Sequence, residues 1–437
     1  MSAPRALTGA RERAKRPGFR RMPMPTLRLP PRLSTALYAI ALLCACVYIA
    51  TVPFRHVFLL RLLALSGAVI LCWAQAGFRF PWSLPLLVPW ALWAALAALS
   101  VAYAANRAQA ASDFQHEILF AFVAYATWYE LAQRRIAVRW LAITLAATVI
   151  VVLAAGVIRL CAGDAPLTLG DYSDVGTIST FLVTVLPVLL ALTLRAAPHS
   201  VERVAAVALV IACLAAGTWT QNRMFAFASG VEIIVFALFS MRTWRTPRPG
   251  FALLGVVALV AGLAVASLLF ASQSRIAVYA PGTGVVEFLA EDPRLDLWRF
   301  AVTQIGAHPW IGAGLGKWTS QQAFYNEFHD AYRMHAHNVF LNRALETGLP
   351  GLAAFTVLLA AVAFAFWKQS LSTVRRNAAL GVAGLALVAG VVTKNLTDDF
   401  FLRQNALLFW SLAGAVLGAA KRHPGAVTAM REAARGA

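Results

Sequence analysis

Apolar runs close to the ~20 residues that a helix needs to cross a hydrocarbon core recur along nearly the whole chain. They fall at about 35–53, 57–76, 84–104, 115–132, 140–160, 176–194, 204–219, 224–241, 251–272, 351–367, 377–395 and 403–420. In lipid every backbone N–H and C=O must be satisfied within the protein, and a helix does this inside one segment. The runs therefore predict an all-α polytopic membrane protein of about twelve transmembrane helices. Composition agrees, since 60% of the 437 residues are hydrophobic and 13% charged, against about 25% charged in a soluble domain. The runs at 84–104 and 115–132 are the least regular, because tryptophan, proline and Glu117 interrupt them.

Cations set the orientation. Arg5 through Arg32, then Arg134, Arg135, Arg139, Arg195, Arg203, Arg242, Arg245, Arg248, Lys368, Arg375, Arg376, Lys421 and Arg422 occupy alternate connections, which the positive-inside rule makes cytoplasmic. Both termini are then expected to be cytoplasmic. The longest polar segment, 273–336, follows an odd-numbered span and is expected on the opposite face. The net charge of +19 is divided among juxtamembrane loops and gathers on no basic domain, so nucleic acid is not an expected partner. Membrane lipids are, through the Arg-rich tail, whose composition predicts disorder. That tail is long for a signal peptide, and the first span is expected to be retained. The five cysteines lack paired spacing in polar sequence, so neither a disulfide framework nor a thiolate metal site is expected.

The predicted organisation is a cytoplasmic tail at 1–34, nine spans at 35–272, a loop with a further helix at 273–350, three spans at 351–420 and a second tail at 421–437. Short connections make this one helical bundle. Transporters often carry two related halves, but no repeat is evident and the long loop has no counterpart in the first half. Within the loop, Asp292 as N-cap and Pro293 at the first helical position predict a helix running to about Ala307. A glycine-rich turn, His308 to Gly316, then breaks it. Trp298, Phe300, Trp310, Ile311 and Trp318 predict that the loop packs on the bundle or meets the membrane interface.

Three residues stand out as chemistry. A helix starting near His337 would present His337, Leu341, Ala344 and Gly348 on one side, and an imidazole there suits a proton acceptor or a capping residue at the interface. Glu346, roughly 13 Å further along such a helix, cannot orient His337, and a structural role beside the Gly348-Leu349-Pro350-Gly351 break suits it better. Arg223 follows Thr220-Gln221-Asn222 at the start of a span, where a guanidinium and free N–H groups suit a phosphate; a snorkelling arginine is the other reading. Arg294, on the loop helix, would pair with Arg223 around a pyrophosphate. Arg299 points elsewhere and reads as a surface residue. Asp171 and Asp174 read as cap and turn. His329, Asp330 and His335 match no strong metal spacing. Lys394, Asp398, Asp399 and Arg403 read either as paired structure or as a pocket wall.

With these residues assembled, the chain resembles the bacterial O-antigen ligase family, within the wider superfamily of O-antigen ligases and polymerases. The likeness rests on Thr220-Gln221-Asn222-Arg223, on Arg294-Leu295-Asp296-Leu297-Trp298 with His308-Pro309-Trp310-Ile311-Gly312-Ala313-Gly314, and on His337-Asn338 through Glu346, Gly348 and Gly351. The turn Asn395 to Arg403, with Leu407-Leu408-Phe409-Trp410, is similar too. Asn222 stands where the family usually has serine. The resemblance implies a GT-C-like glycosyltransferase of the bacterial inner membrane, with one large periplasmic loop containing short helices and the active site facing the periplasm. It implies transfer of O-antigen from undecaprenyl pyrophosphate to lipid A–core in lipopolysaccharide biosynthesis, inverting, with no cofactor and no metal. His337 would be catalytic and Arg223 and Arg294 would hold the pyrophosphate, with Asn338, Trp298, Asp399 and Asn222 in support. The alternatives are an O-antigen polymerase or protein O-oligosaccharyltransferase and, from another class, a flippase for lipid-linked sugar.

Overall fold

The computed structural model describes residues 30–75, 83–163, 174–197, 199–244, 249–279, 282, 284–285, 287, 292–316, 319–330, 333–399, 401 and 403–421. The tail through Leu29, Asp171, Arg245, Arg248, Trp318 and Arg422 lie outside the described residues. The described elements are helical throughout. They are α1 (Pro31–Ala50), α2 (Phe58–Gln75), α3 (Leu87–Tyr103), α4 (Arg107–Phe114), a π-turn (Gln115–Leu119), α5 (Phe120–Leu131), α6 (Arg135–Cys161), α7 (Val175–Arg195), α8 (Val201–Trp219), α9 (Arg223–Trp244), α10 (Pro249–Tyr279), α11 (Arg294–Ala307), α12 (Gln321–Phe328), α13 (Val339–Ser370), α14 (Arg375–Lys394) and α15 (Arg403–Ala420).

Nine of these, α1, α2, α6, α7, α8, α9, α10, α13 and α14, are long and apolar enough to cross a membrane. The chain is thus an all-α multi-pass membrane protein. Three of the twelve expected spans fall outside that set, each for a physical reason. The run at 84–104 forms a shorter apolar helix, α3. The run at 115–132 opens with the π-turn, which carries Gln115, His116 and Glu117; a single wide turn of this kind redirects side chains. Helix α15 starts on Arg403-Gln404-Asn405, and its hydropathy suffers for it.

What α15 lacks in hydropathy it recovers in packing. From Asn405 to Ala419 every residue is buried. A Cβ placed on Gly414 would lie 2.2 Å from the Tyr125 carbonyl oxygen, and one on Gly418 would lie 2.1 Å from that of Tyr129. Four-residue spacing of glycines lets α15 and α5 touch backbone to backbone, the small-residue contact that drives helix association in lipid. Helices α7 and α14 are also central, with more than half of their apolar windows buried, whereas α8 and α10 leave most of theirs to the surface. Tyr48 from α1 reaches into the centre and shares a 2.6 Å hydrogen bond with the Ser411 hydroxyl.

Helix α13 is bent. Gly348 sits at φ 68°, ψ −178°, and Pro350 follows two residues later. Pro350 has no N–H to give to the Glu346 carbonyl, and Leu349 turns its own N–H to the Pro309 carbonyl at 2.7 Å. The two carbonyls stranded by the bend are met from outside: the Ala313 N–H donates to Leu345 at 2.7 Å and the Gly314 N–H to Glu346 at 3.0 Å. Buried backbone groups demand such partners. The glycine-rich turn of the loop is therefore the missing half of the hydrogen bonding of this helix.

Candidate active site

Asn338 caps α13. Its side-chain oxygen accepts from the N–H groups of Phe340 (2.9 Å) and Leu341 (3.2 Å), the role for which asparagine is among the favoured residues. Its amide donates to the Leu396 carbonyl at 2.7 Å. His337 consequently precedes the helix, in the left-handed region at φ 48°. The expectation of a helix starting near His337 and presenting it with Leu341, Ala344 and Gly348 is corrected: the stronger cap lies one residue later. The His337 ring instead lies against that of His335, centroids 3.8 Å apart and the planes tilted by 43°.

Both flanks of this histidine are fixed. The Trp298 indole donates to the Ala336 carbonyl at 2.9 Å, and the Ala336 N–H donates to the Asn342 side-chain oxygen at 3.1 Å. Asn342 in turn donates to the Asp399 carboxylate. On the other side the Val339 N–H donates to the Asn395 carbonyl at 3.0 Å. Trp298 and Asp399, predicted as supporting residues, thus hold the backbone around His337 from two separate segments.

The two arginines meet through carboxylates. Arg223 opens α9 and lies 2.8 Å from Asp292. Asp292 also accepts from the Arg294 N–H at 3.0 Å, so it serves the start of α11, which begins at Arg294 and ends at Ala307. The Arg294 guanidinium lies 3.4 Å from Asp398. Asp398 further accepts from Lys394 at 2.5 Å and from Asn222 at 3.4 Å. Asn222 also accepts from the Met224 N–H at 3.1 Å, so an amide replaces the family's hydroxyl while tying the start of α9 to the same carboxylate. Burial alone would raise the Asp398 carboxyl, but Lys394 and Arg294 hold it below the usual carboxylate range. Among the described residues, Arg223, Arg294 and Lys394 thus share Asp292 and Asp398. Lys394 and Asp398 form an ion pair.

The turn Asn395–Asp399 links these halves. It holds Val339 and Asn338 through backbone carbonyls, Asn342 through Asp399, and Arg294 through Asp398. A span end, a loop helix and the His337 stretch therefore share one support.

Beneath it lies a network that the sequence reading missed. Arg343 is buried and pairs with Glu117 at 2.7 Å and Glu346 at 2.6 Å. Its guanidinium also lies over the Trp93 and Phe355 rings at 5.7 and 5.8 Å. Glu346 is structural as expected, but its partner is Arg343. The available signal was the Arg343-x-x-Glu346 spacing, which puts both on one helix face, together with a lone glutamate in an apolar run.

Other expectations divide. Asp174 caps α7, accepting from the Thr177 N–H at 2.6 Å. Arg299 is a surface residue, 81% exposed and near Asp296. Trp298 and Phe300 pack around Leu297, Ala301, Phe324, Ala336 and Leu345, but Trp310 and Ile311 stay exposed. Arg403 lies 3.8 Å from Asp113 and is itself exposed. Among the described residues, no three of His, Cys, Asp and Glu gather closely enough to hold a metal ion.

A bundle with a buried polar floor, and two arginines and a clamped histidine at one end, defines a multi-pass membrane protein with a polar site. Residues 205–356 match the family model described as O-Antigen ligase. The match supports the resemblance that the motifs carry and spans Arg223, Arg294 and His337. No curated protein matches the chain.

Proposed function

We propose that the protein is an O-antigen ligase of the bacterial inner membrane, working at the periplasmic face with both termini in the cytoplasm. It moves O-antigen from undecaprenyl pyrophosphate to lipid A–core. The observation that carries this reading is that Arg223 and Arg294, 71 residues apart and both within the matched stretch, are tied together by two carboxylates: Asp292 takes the Arg223 guanidinium and the Arg294 N–H, and Asp398 takes the Arg294 guanidinium and the Asn222 amide. Asp292 and Asp398 hold the two guanidinium forks before substrate arrives, and a preorganised cation pair suits the charge that builds on a leaving pyrophosphate. A polyprenyl donor lies in the bilayer with its pyrophosphate at the surface, at the level where α9 starts and α14 ends.

The acceptor hydroxyl attacks the anomeric carbon from the face opposite the pyrophosphate. A C–O bond forms, the C–O bond to the pyrophosphate breaks, and the configuration inverts. His337 takes the hydroxyl proton or orients the hydroxyl. Trp298, Asn338 and Asp399 act through it, by fixing the backbone on either side. The twelve-span, GT-C-like reading accompanies this proposal; α3, the α4–α5 segment and α15 supply the three spans beyond the nine.

The test is reconstituted transfer from purified polyprenyl-linked O-antigen. His337→Ala should lower the rate by about 100- to 10,000-fold with donor binding retained; near-normal transfer sinks the assignment. Arg223→Lys keeps charge but loses the fork, and unchanged donor affinity would leave Arg223 structural. Product that forms without lipid A–core would mark a polymerase. Failure to form any glycosidic bond in detergent, where transport has no meaning, would favour a flippase.

A further inference from the structure

A cavity of about 820 Å³ lies among α6, α7, α8, α14 and α15. It is at the far end of the bundle from the candidate site: α14 enters it at Arg375 and meets the site at Lys394, about 28 Å away at 1.5 Å per residue. Its depth is apolar, with Val138, Leu141, Val188, Ala191, Leu387 and Leu412 on the walls. Its mouth carries Arg195, Arg203, Arg375 and Arg376, and among the described lining residues there is no carboxylate. Helix α14 also starts there on Val374, which gives no side-chain cap, so the first-turn N–H groups add positive potential at the same place.

We propose that this cavity binds an anionic phospholipid, with its phosphate on the arginines and an acyl chain in the apolar trough. Four guanidinium groups line one opening, and their forks and charge complement a phosphate. A free phosphate would use only the mouth. The trough behind it has a volume within the ~300–1,000 Å³ typical of small-molecule sites, and only a ligand with a hydrocarbon part fills it. Basic pockets between membrane helices are suited to anionic head groups for the same reason. Arg203 and Arg376 are half-buried.

The full chain, purified in detergent, is titrated with phosphatidylglycerol, with phosphatidylcholine of the same acyl chains, or with inorganic phosphate, while thermal unfolding is followed by tryptophan fluorescence. Phosphatidylglycerol should raise Tm saturably, and the other two should not. The double variant Arg203→Gln, Arg376→Gln should weaken the phosphatidylglycerol response at least tenfold. Ala191→Phe, which fills the trough and leaves all four arginines, should do the same and serves as the test if the double variant does not fold. Equal stabilisation by phosphatidylcholine, the same effect from phosphate alone, or an unchanged response in the folded variants overturns the proposal.

Discussion

Gly348→Ala tests whether the loop turn and the bend of α13 are one unit. Gly348 occupies a backbone region (φ 68°, ψ −178°) that is essentially closed to residues with a Cβ, where strain costs about 1–3 kcal/mol. A Cβ there would also meet the Trp310 carbonyl carbon at 2.5 Å and its oxygen at 2.6 Å. Backbone atoms cannot swing aside, so the cheapest relief is for the turn to lift off. That breaks the bonds from Ala313 to Leu345, Gly314 to Glu346 and Leu349 to Pro309, at about 0.5–1.5 kcal/mol each. The total is about 2.5–7.5 kcal/mol, unevenly borne by the docked turn. At about 1.4 kcal/mol per factor of ten, the low end of that sum, about 2.5 kcal/mol, means amide exchange about 60-fold faster. Hydrogen exchange should therefore show lost protection at Ala313, Gly314 and Leu349, with α14 and α15 unchanged. Protection at those three amides within about threefold of wild type would refute the coupling. Gly312→Ala should behave alike, because its Cβ would lie 2.6 Å from the Leu345 carbonyl oxygen.

Arg343→Met leaves Glu117 and Glu346 buried without their cation and should cost about 3–5 kcal/mol; adding Glu117→Gln and Glu346→Gln should recover much of it, and thermal unfolding of the four proteins decides. Asp398 is held below the usual carboxylate range, so its contribution is present above the unfolded value of about 3.9 and lost as pH falls through the lower folded value. Wild type should lose stability below about pH 4 more steeply than Asp398→Asn, and parallel pH profiles of Tm would remove Asp398 as the cause. Glu232 is fully buried with neither carboxyl oxygen hydrogen-bonded among the described residues, so Glu232→Met should be neutral or stabilising; a fall in Tm of several degrees would instead reveal a function for that carboxyl.

Legibility from sequence followed the physics of each segment. Nine helices advertise themselves because lipid selects for hydropathy. Helices α5 and α15 are held by backbone contact at Gly414 and Gly418, and no window average registers that. Arg223, Arg294 and His337 were readable because cations and imidazole are out of place beside a bilayer. Their pairing with Asp292 and Asp398 was not, since Asp292 reads as a helix cap and Asp398 as a partner of Lys394 until α9, α11 and α14 are brought together. The start of α13 was misread by two residues, although Asn338 is the better cap and stood in view. Arg343 was passed over because its two partners are three and 226 positions away.

That last separation has a consequence for how the molecule is made. Glu117 leaves the ribosome 226 residues before the arginine that neutralises it. At about 5–20 residues per second, the interval is roughly 10–45 s. Throughout that time the α4–α5 segment carries a carboxylate into or beside the membrane with its counter-ion not yet synthesised. The early helices must therefore wait for the late ones, and the polar floor of the site closes only when both halves of the chain are present.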